Sequence, residues 1–106
     1  MSQTFLVETY WAELSDVAVR ARTARVAAAA SELRAEGRPV TFLGSLLMPD
    51  DELCFWRFAA TSLVDVERAS RRAGLDVHRI TRSIEIADVE AGDQPANERR
   101  DQPGGV

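Results

Sequence analysis

Arg38–Phe58 reads RPVTFLGSLLMPDDELCFWRF: two apolar runs joined by an acidic turn at Pro49-Asp50-Asp51. Both runs are rich in β-branched and aromatic residues and are short enough to be strands, so the stretch predicts a hairpin. Pro39 opens strand two, and Glu52 to Phe58 forms strand three.

The flanking segments have other patterns. Thr4 to Tyr10 (TFLVETY) alternates and predicts strand one. Ser15 is placed to cap a helix that runs to Glu36, alanine-rich and without an internal Gly or Pro. Val19, Val26 and Leu33 recur every seven residues and define its buried stripe, and Gly37 is its expected stop. A second helix is expected from Ser62 to Ala73. Ser62 and Asp65 approximate a capping box, and Gly74 ends the helix. Val77 to Ile86 then predicts strand four. The order β-α-β-β-α-β is the ferredoxin-like plan, an α+β fold with a four-stranded antiparallel sheet and two helices on one face.

The 106 residues suit one domain, assigned to 1–86. Residues 87–106 carry Pro95, Pro103 and a glycine pair without an aliphatic stripe, and are expected to form a disordered or loosely packed acidic tail. That tail holds five acids (Asp88, Glu90, Asp93, Glu98, Asp101) and much of the net charge of −4, so the body is nearly neutral. No basic stripe marks a nucleic-acid binder. No apolar run approaches the roughly 18 residues of a membrane span. The N-terminal MSQTFLVETYW lacks a basic leader and a long apolar region, so no secretory signal is expected. One cysteine excludes an internal disulfide and fits a reducing cytoplasm. All 13 basic residues are arginine, which points to a GC-rich genome.

Strand parity sorts the side chains onto two faces. Phe5, Val7, Val40, Phe42, Leu46, Cys54, Trp56, Phe58, Ile80, Ile84 and Ile86 make the helix-facing set, which only Arg82 interrupts. The opposite face holds Leu6, Glu8, Tyr10, Thr41, Leu43, Ser45, Leu47, Leu53, Phe55, Arg57, Arg79, Thr81, Ser83 and Glu85. That face is too apolar for open water and too polar for a plain core. Such a face docks on another sheet, and the simplest partner is a second copy, giving a homodimer with a cavity between the sheets.

Glu8 is the leading site residue, as a general base or a ligand-orienting carboxylate. Strands one and three are central neighbours in this fold, so Arg57 is its expected partner. Tyr10 and Ser45 supply hydrogen-bonding groups, and Leu6, Leu43, Leu47 and Phe55 the apolar walls. The expected catalytic set is therefore Glu8, Tyr10 and Arg57, and the expected ligand-binding set Leu6, Leu43, Ser45, Leu47 and Phe55. Cys54 faces the helices and reads as a buried hydrophobe. His78 is the only histidine and reads as a strand-end group; Asp50, Asp51 and Glu52 read as solvated turn charge. Trp11 is placed to cap either the cavity or the core. No phosphate loop, CxxC or HExxH is present, and neither a cofactor nor a metal ligand set is assigned.

LVETY at strand one, LGSLLMPDDELCFWRF across the hairpin and RRAGLDVHRI after helix two together resemble a family of small bacterial ferredoxin-like domains. It is a family of unknown function with a nickel-binding member. The likeness spans about Phe5 to Ile86, with Glu8, Ser45, Asp51, Cys54 and Ala73-Gly74 at matching positions. It implies a dimeric α+β barrel. The chain departs from the pattern at Ala69, where relatives carry a histidine, and at Tyr10-Trp11-Ala12, where they often have Pro-Gly. Three functions follow as expectations: a small-ligand-binding homodimer, a cofactor-free enzyme of oxygenase, cyclase or isomerase type in the same cavity, or a nickel or other divalent-metal binder.

Overall fold

The computed structural model describes residues 2–11 and 15–86; the acidic tail assigned to 87–106 lies outside them. The elements are β1 (Gln3–Tyr10), α1 (Asp16–Ala35), β2 (Val40–Met48), a single 3-10 turn (Pro49–Asp51), β3 (Leu53–Ala60), α2 (Leu63–Arg72) and β4 (Arg79–Ser83). The sheet order is β2-β3-β1-β4 with every neighbouring pair antiparallel. This is the ferredoxin-like βαββαβ topology, with β1 and β3 at the centre as the element order predicts.

Both helices start where the sequence places their caps. Ser15 Oγ accepts from the Ala18 amide at 3.1 Å, and Ser62 Oγ accepts from the Asp65 amide at 3.4 Å. These bonds satisfy amides that would otherwise lack partners at the helix ends. Gly37, at φ +87°, turns the chain out of α1 in the left-handed conformation that glycine tolerates best. Arg72, in the last turn of α2, clamps α1 with bonds of 2.8 and 3.2 Å to the Glu36 carboxylate. That hydrogen-bonded guanidinium holds the Glu36 carboxyl below its ordinary range.

The core lies between the helices and one sheet face. Val19, Val26, Ala29, Ala30 and Leu33 of α1 meet Phe5, Val7, Val40, Cys54, Trp56 and Phe58 of the sheet, with Val66 and Ala69 of α2. The spacing-derived stripe on α1 is therefore the buried one. Cys54 is wholly enclosed here, and burial pushes its thiol up to about 11.

Two features depart from strict alternation. The register between β2 and β3 shifts between Phe42 and Gly44: Phe42 faces Phe58, but Gly44 already faces Arg57. Leu43 and Gly44 thus share the place opposite one residue, a β-bulge with Gly44 at φ +138°. Beyond it every side chain of β2 changes face. Ser45 and Leu47 pair with Trp56 and Cys54 and turn toward α1, whereas Leu46 and Met48 pair with Phe55 and Leu53 on the open face. Leu46 is accordingly 55% exposed, not part of the core. The second departure is the length of β4, which ends at Ser83. Ile84 and Ile86, expected beneath the helices, lie beyond it at 76% and 87% exposure.

Candidate ligand-binding face

The side of the sheet away from the helices carries Leu6, Glu8 and Tyr10 from β1, Leu53, Phe55 and Arg57 from β3, Leu46 and Met48 from β2, and Arg79 and Thr81 from β4. Glu8 lies near its centre and is 6% exposed although no helix covers it. Its shielding comes from neighbours on the sheet surface: Phe55 directly opposite on β3 and Arg79 directly opposite on β4. Glu8 Oε1 accepts from Arg79 Nε at 3.0 Å, and Oε2 accepts from the Tyr10 hydroxyl at 3.5 Å. The His78 amide donates to the Glu8 carbonyl at 2.8 Å, and the His78 ring meets Tyr10 edge to face, centroids 4.6 Å apart. Both carboxylate oxygens therefore have donors, as a desolvated charge requires.

The expected Glu8–Arg57 pair does not form. Arg57 stands opposite Leu6 on β1, one diagonal step from Glu8, and among the described residues it makes no ion pair. β1 has two neighbours, each with an arginine on this face, and register alone selects the one on β4. Arg79 is thus a site residue that parity put on the correct face without a role. The signal for it was topological: in this fold β4 flanks β1 as closely as β3 does.

Of the expected site residues, the structure brings Leu6, Glu8, Tyr10, Phe55 and Arg57 onto one face. Leu43 lies in the bulge beside Arg57 and is exposed. Ser45 and Leu47 are not with them. They border a cleft of about 380 Å³ on the helix side, with Asp16, Val19, Arg20 and Thr23 of α1. Leu46 and Met48 take their places, and the signal was Gly44, a glycine inside a strand and a common mark of a bulge.

Trp11 resolves toward the core. It packs against the buried cluster, its amide donates to the Glu52 carbonyl at 2.9 Å, and Arg22 lies over its ring at 5.2 Å. Cys54 is enclosed in the core whereas His78 is exposed and packs on Tyr10, and the two form no dyad. Among the described residues, no three His, Cys, Asp or Glu side chains converge as metal ligands. Ala69, the position where the resembled family carries histidine, lies on the buried side of α2 in the core. Among the described residues the donor set does not fit a nickel site.

No protein-family model and no curated protein matches the chain. A solved structure does: the crystal structure of SCO4226 from Streptomyces coelicolor A3(2), 20% identical, with a TM-score of 0.59. The match covers 79% of this chain and 99% of that one. What the two share is the fold. The likeness agrees with the ferredoxin-like topology traced above, and at that identity it extends no further.

Proposed function

We propose that the chain acts as a homodimer that pairs its two open sheet faces and holds a small ligand between them. The observation that carries this is the composition of that face. Leu43, Leu46, Met48 and Tyr10 are exposed, Leu6, Leu53 and Phe55 are half-buried, and a nearly buried carboxylate lies among them. A contiguous apolar sheet surface of this kind is uncommon on a monomer. A second copy related by a twofold axis would bury it, while Glu8, Arg57, Arg79 and Tyr10 would project polar groups into the space between. This reading places the protein in the cytoplasm, where its single thiol stays reduced. Size-exclusion chromatography with light scattering tests the assembly. A dimer at micromolar concentration is expected, and Leu46→Asp should convert it to monomer; a monomeric parent chain overturns the proposal.

The Tyr10 hydroxyl at 3.5 Å from Glu8 favours one second reading, a cofactor-free enzyme in the same cavity. Glu8 would act as general base, Tyr10 as its proton partner and Arg57 as the group that steadies a developing oxyanion. A Glu8→Gln variant that keeps ligand binding and loses turnover is the expected result; unchanged turnover removes Glu8 from that role.

A further inference from the structure

The charges on the open face do not cancel. Its strand positions hold one acid, Glu8, and two arginines, Arg57 and Arg79, on a chain whose net charge is −4. Arg79 is engaged with Glu8 at 3.0 Å. Arg57 is left over. It is half-buried, with Leu6 opposite on β1, Leu43 and Gly44 opposite on β2, and Phe55 and Ala59 flanking it on its own strand. A guanidinium there has traded part of its hydration for hydrocarbon neighbours. Its planar fork of donors matches a carboxylate in two parallel bonds.

The surroundings of Arg57 are not the same in both directions. Toward β4 the face turns polar, with Arg79, Thr81 and Ser83. Toward the hairpin turn it stays apolar on the β2 side through two cross-strand pairs, Leu46 with Phe55 and Met48 with Leu53, while Glu8 and Tyr10 border the same rows on β1. The bulge creates this track, because it turns Leu46 and Met48 to the open side and takes Ser45 away. From Arg57 to Leu53 the strand advances about 14 Å at the usual rise per residue. A cation thus stands at one end of a hydrocarbon strip.

We propose that Arg57 anchors the carboxylate of a soluble amphipathic monoanion whose apolar body lies along the Leu46/Phe55 and Met48/Leu53 track. This names the ligand class for the small-ligand reading above and rests on it. In a twofold dimer the same ligand would also offset the otherwise unpaired charge of each Arg57 at the interface.

Isothermal titration calorimetry of the full chain with octanoate, octan-1-ol and octylammonium tests this, with light scattering on the same samples. Octanoate is expected to bind at least tenfold more tightly than the other two. Arg57→Gln should erase that preference by weakening octanoate about tenfold, Arg57→Lys should restore part of it, and Arg82→Gln, on the opposite side of the sheet, should leave it in place. Three results overturn the proposal: no octanoate binding at millimolar concentration, equal affinity for octanol, or a preference that survives Arg57→Gln. Binding to phosphatidylglycerol vesicles without octanoate binding also overturns it. The two readings separate cleanly. A monomer with an Arg57-dependent preference removes the dimer and keeps the anion site, and a dimer without the preference does the reverse.

Discussion

Arg79 and Glu8 are direct cross-strand partners, and the arginine reaches the carboxylate from the water. Its side chain is 67% exposed while that of Glu8 is 8% exposed, with Nε and Oε1 3.0 Å apart. The carboxylate is the desolvated member, so its loss of a partner matters more than the arginine's. In Arg79→Gln only the long bond from Tyr10 and a neutral amide would remain near it. Exposure of the arginine screens the pair, which sets the expected cost at about 1 kcal/mol, well below that of a fully buried ion pair. Urea unfolding of Arg79→Gln should show this loss, and the Glu8→Gln/Arg79→Gln double variant should lose less than the sum of the two singles. Arg57→Gln, which breaks no ion pair among the described residues, should unfold within about 0.5 kcal/mol of the parent. Equal losses for the two arginine variants would remove the distinction between them.

On the other side of the sheet a second polar relay is buried. Trp56 Nε1 donates to Thr9 Oγ1 at 3.0 Å, and that hydroxyl donates to the Cys54 carbonyl at 3.2 Å. One hydroxyl serves as acceptor and donor for two buried groups. Thr9→Val keeps the shape and leaves the Trp56 indole N–H without this acceptor. It should cost about 1–3 kcal/mol in unfolding free energy, the usual penalty for an unsatisfied buried group. Thr9→Val combined with Trp56→Phe should cost less than the separate effects added together, because the second change removes the orphaned indole donor.

The Cys54 thiol, pushed up to about 11 from 9.0 by burial, stays protonated in the folded protein through the neutral range. The thiolate is the reacting form, so modification by a disulfide reagent at pH 8 should be slow and should track unfolding. The linkage has a definite sign. The folded state holds this proton more tightly than the unfolded one, so the contribution is fully present below about 9 and is lost as pH rises through about 11. Cys54→Ala should flatten the fall in stability over that alkaline window. A rapid reaction of the native thiol at pH 8 would contradict its enclosure.

How much of this was legible in the sequence depends on the kind of signal. The helices were readable because caps and a seven-residue stripe are local: Ser15, Ser62, Gly37 and the row Val19, Val26, Leu33 act as their spacing implies. Strand order followed from element order. Parity correctly placed Glu8, Tyr10, Phe55 and Arg57 on one face. It failed where its premise failed, at Ser45, Leu46 and Leu47, because parity assumes an unbroken strand and the bulge that Gly44 marks inserts one residue. The Glu8 partner was missed for another reason. Register between non-adjacent segments is set by the packing of the whole sheet, and no local pattern distinguishes Arg57 from Arg79.

Gly44 is where the division of the sheet into two faces is decided, and it can be tested directly. A β-carbon built there meets nothing within 4 Å, so space does not require glycine. The backbone does: φ is +138°, a conformation that L side chains rarely adopt. Gly44→Ala should therefore destabilise through strain alone, by about 1–3 kcal/mol, without a steric clash to relieve. The strand has one other way to respond, which is to give up the bulge. That would return Ser45 and Leu47 to the open face and drive Leu46 toward the helices, so the register is held by the burial of Leu47 against the core. The strained, bulged form is the expected outcome. Cross-strand nuclear Overhauser contacts between residues 45 and 56 and between 46 and 55 should persist in the variant, alongside a lower urea midpoint. A variant of unchanged stability, or one in which residue 46 comes to pair with residue 54, would show that the bulge does not depend on the glycine conformation.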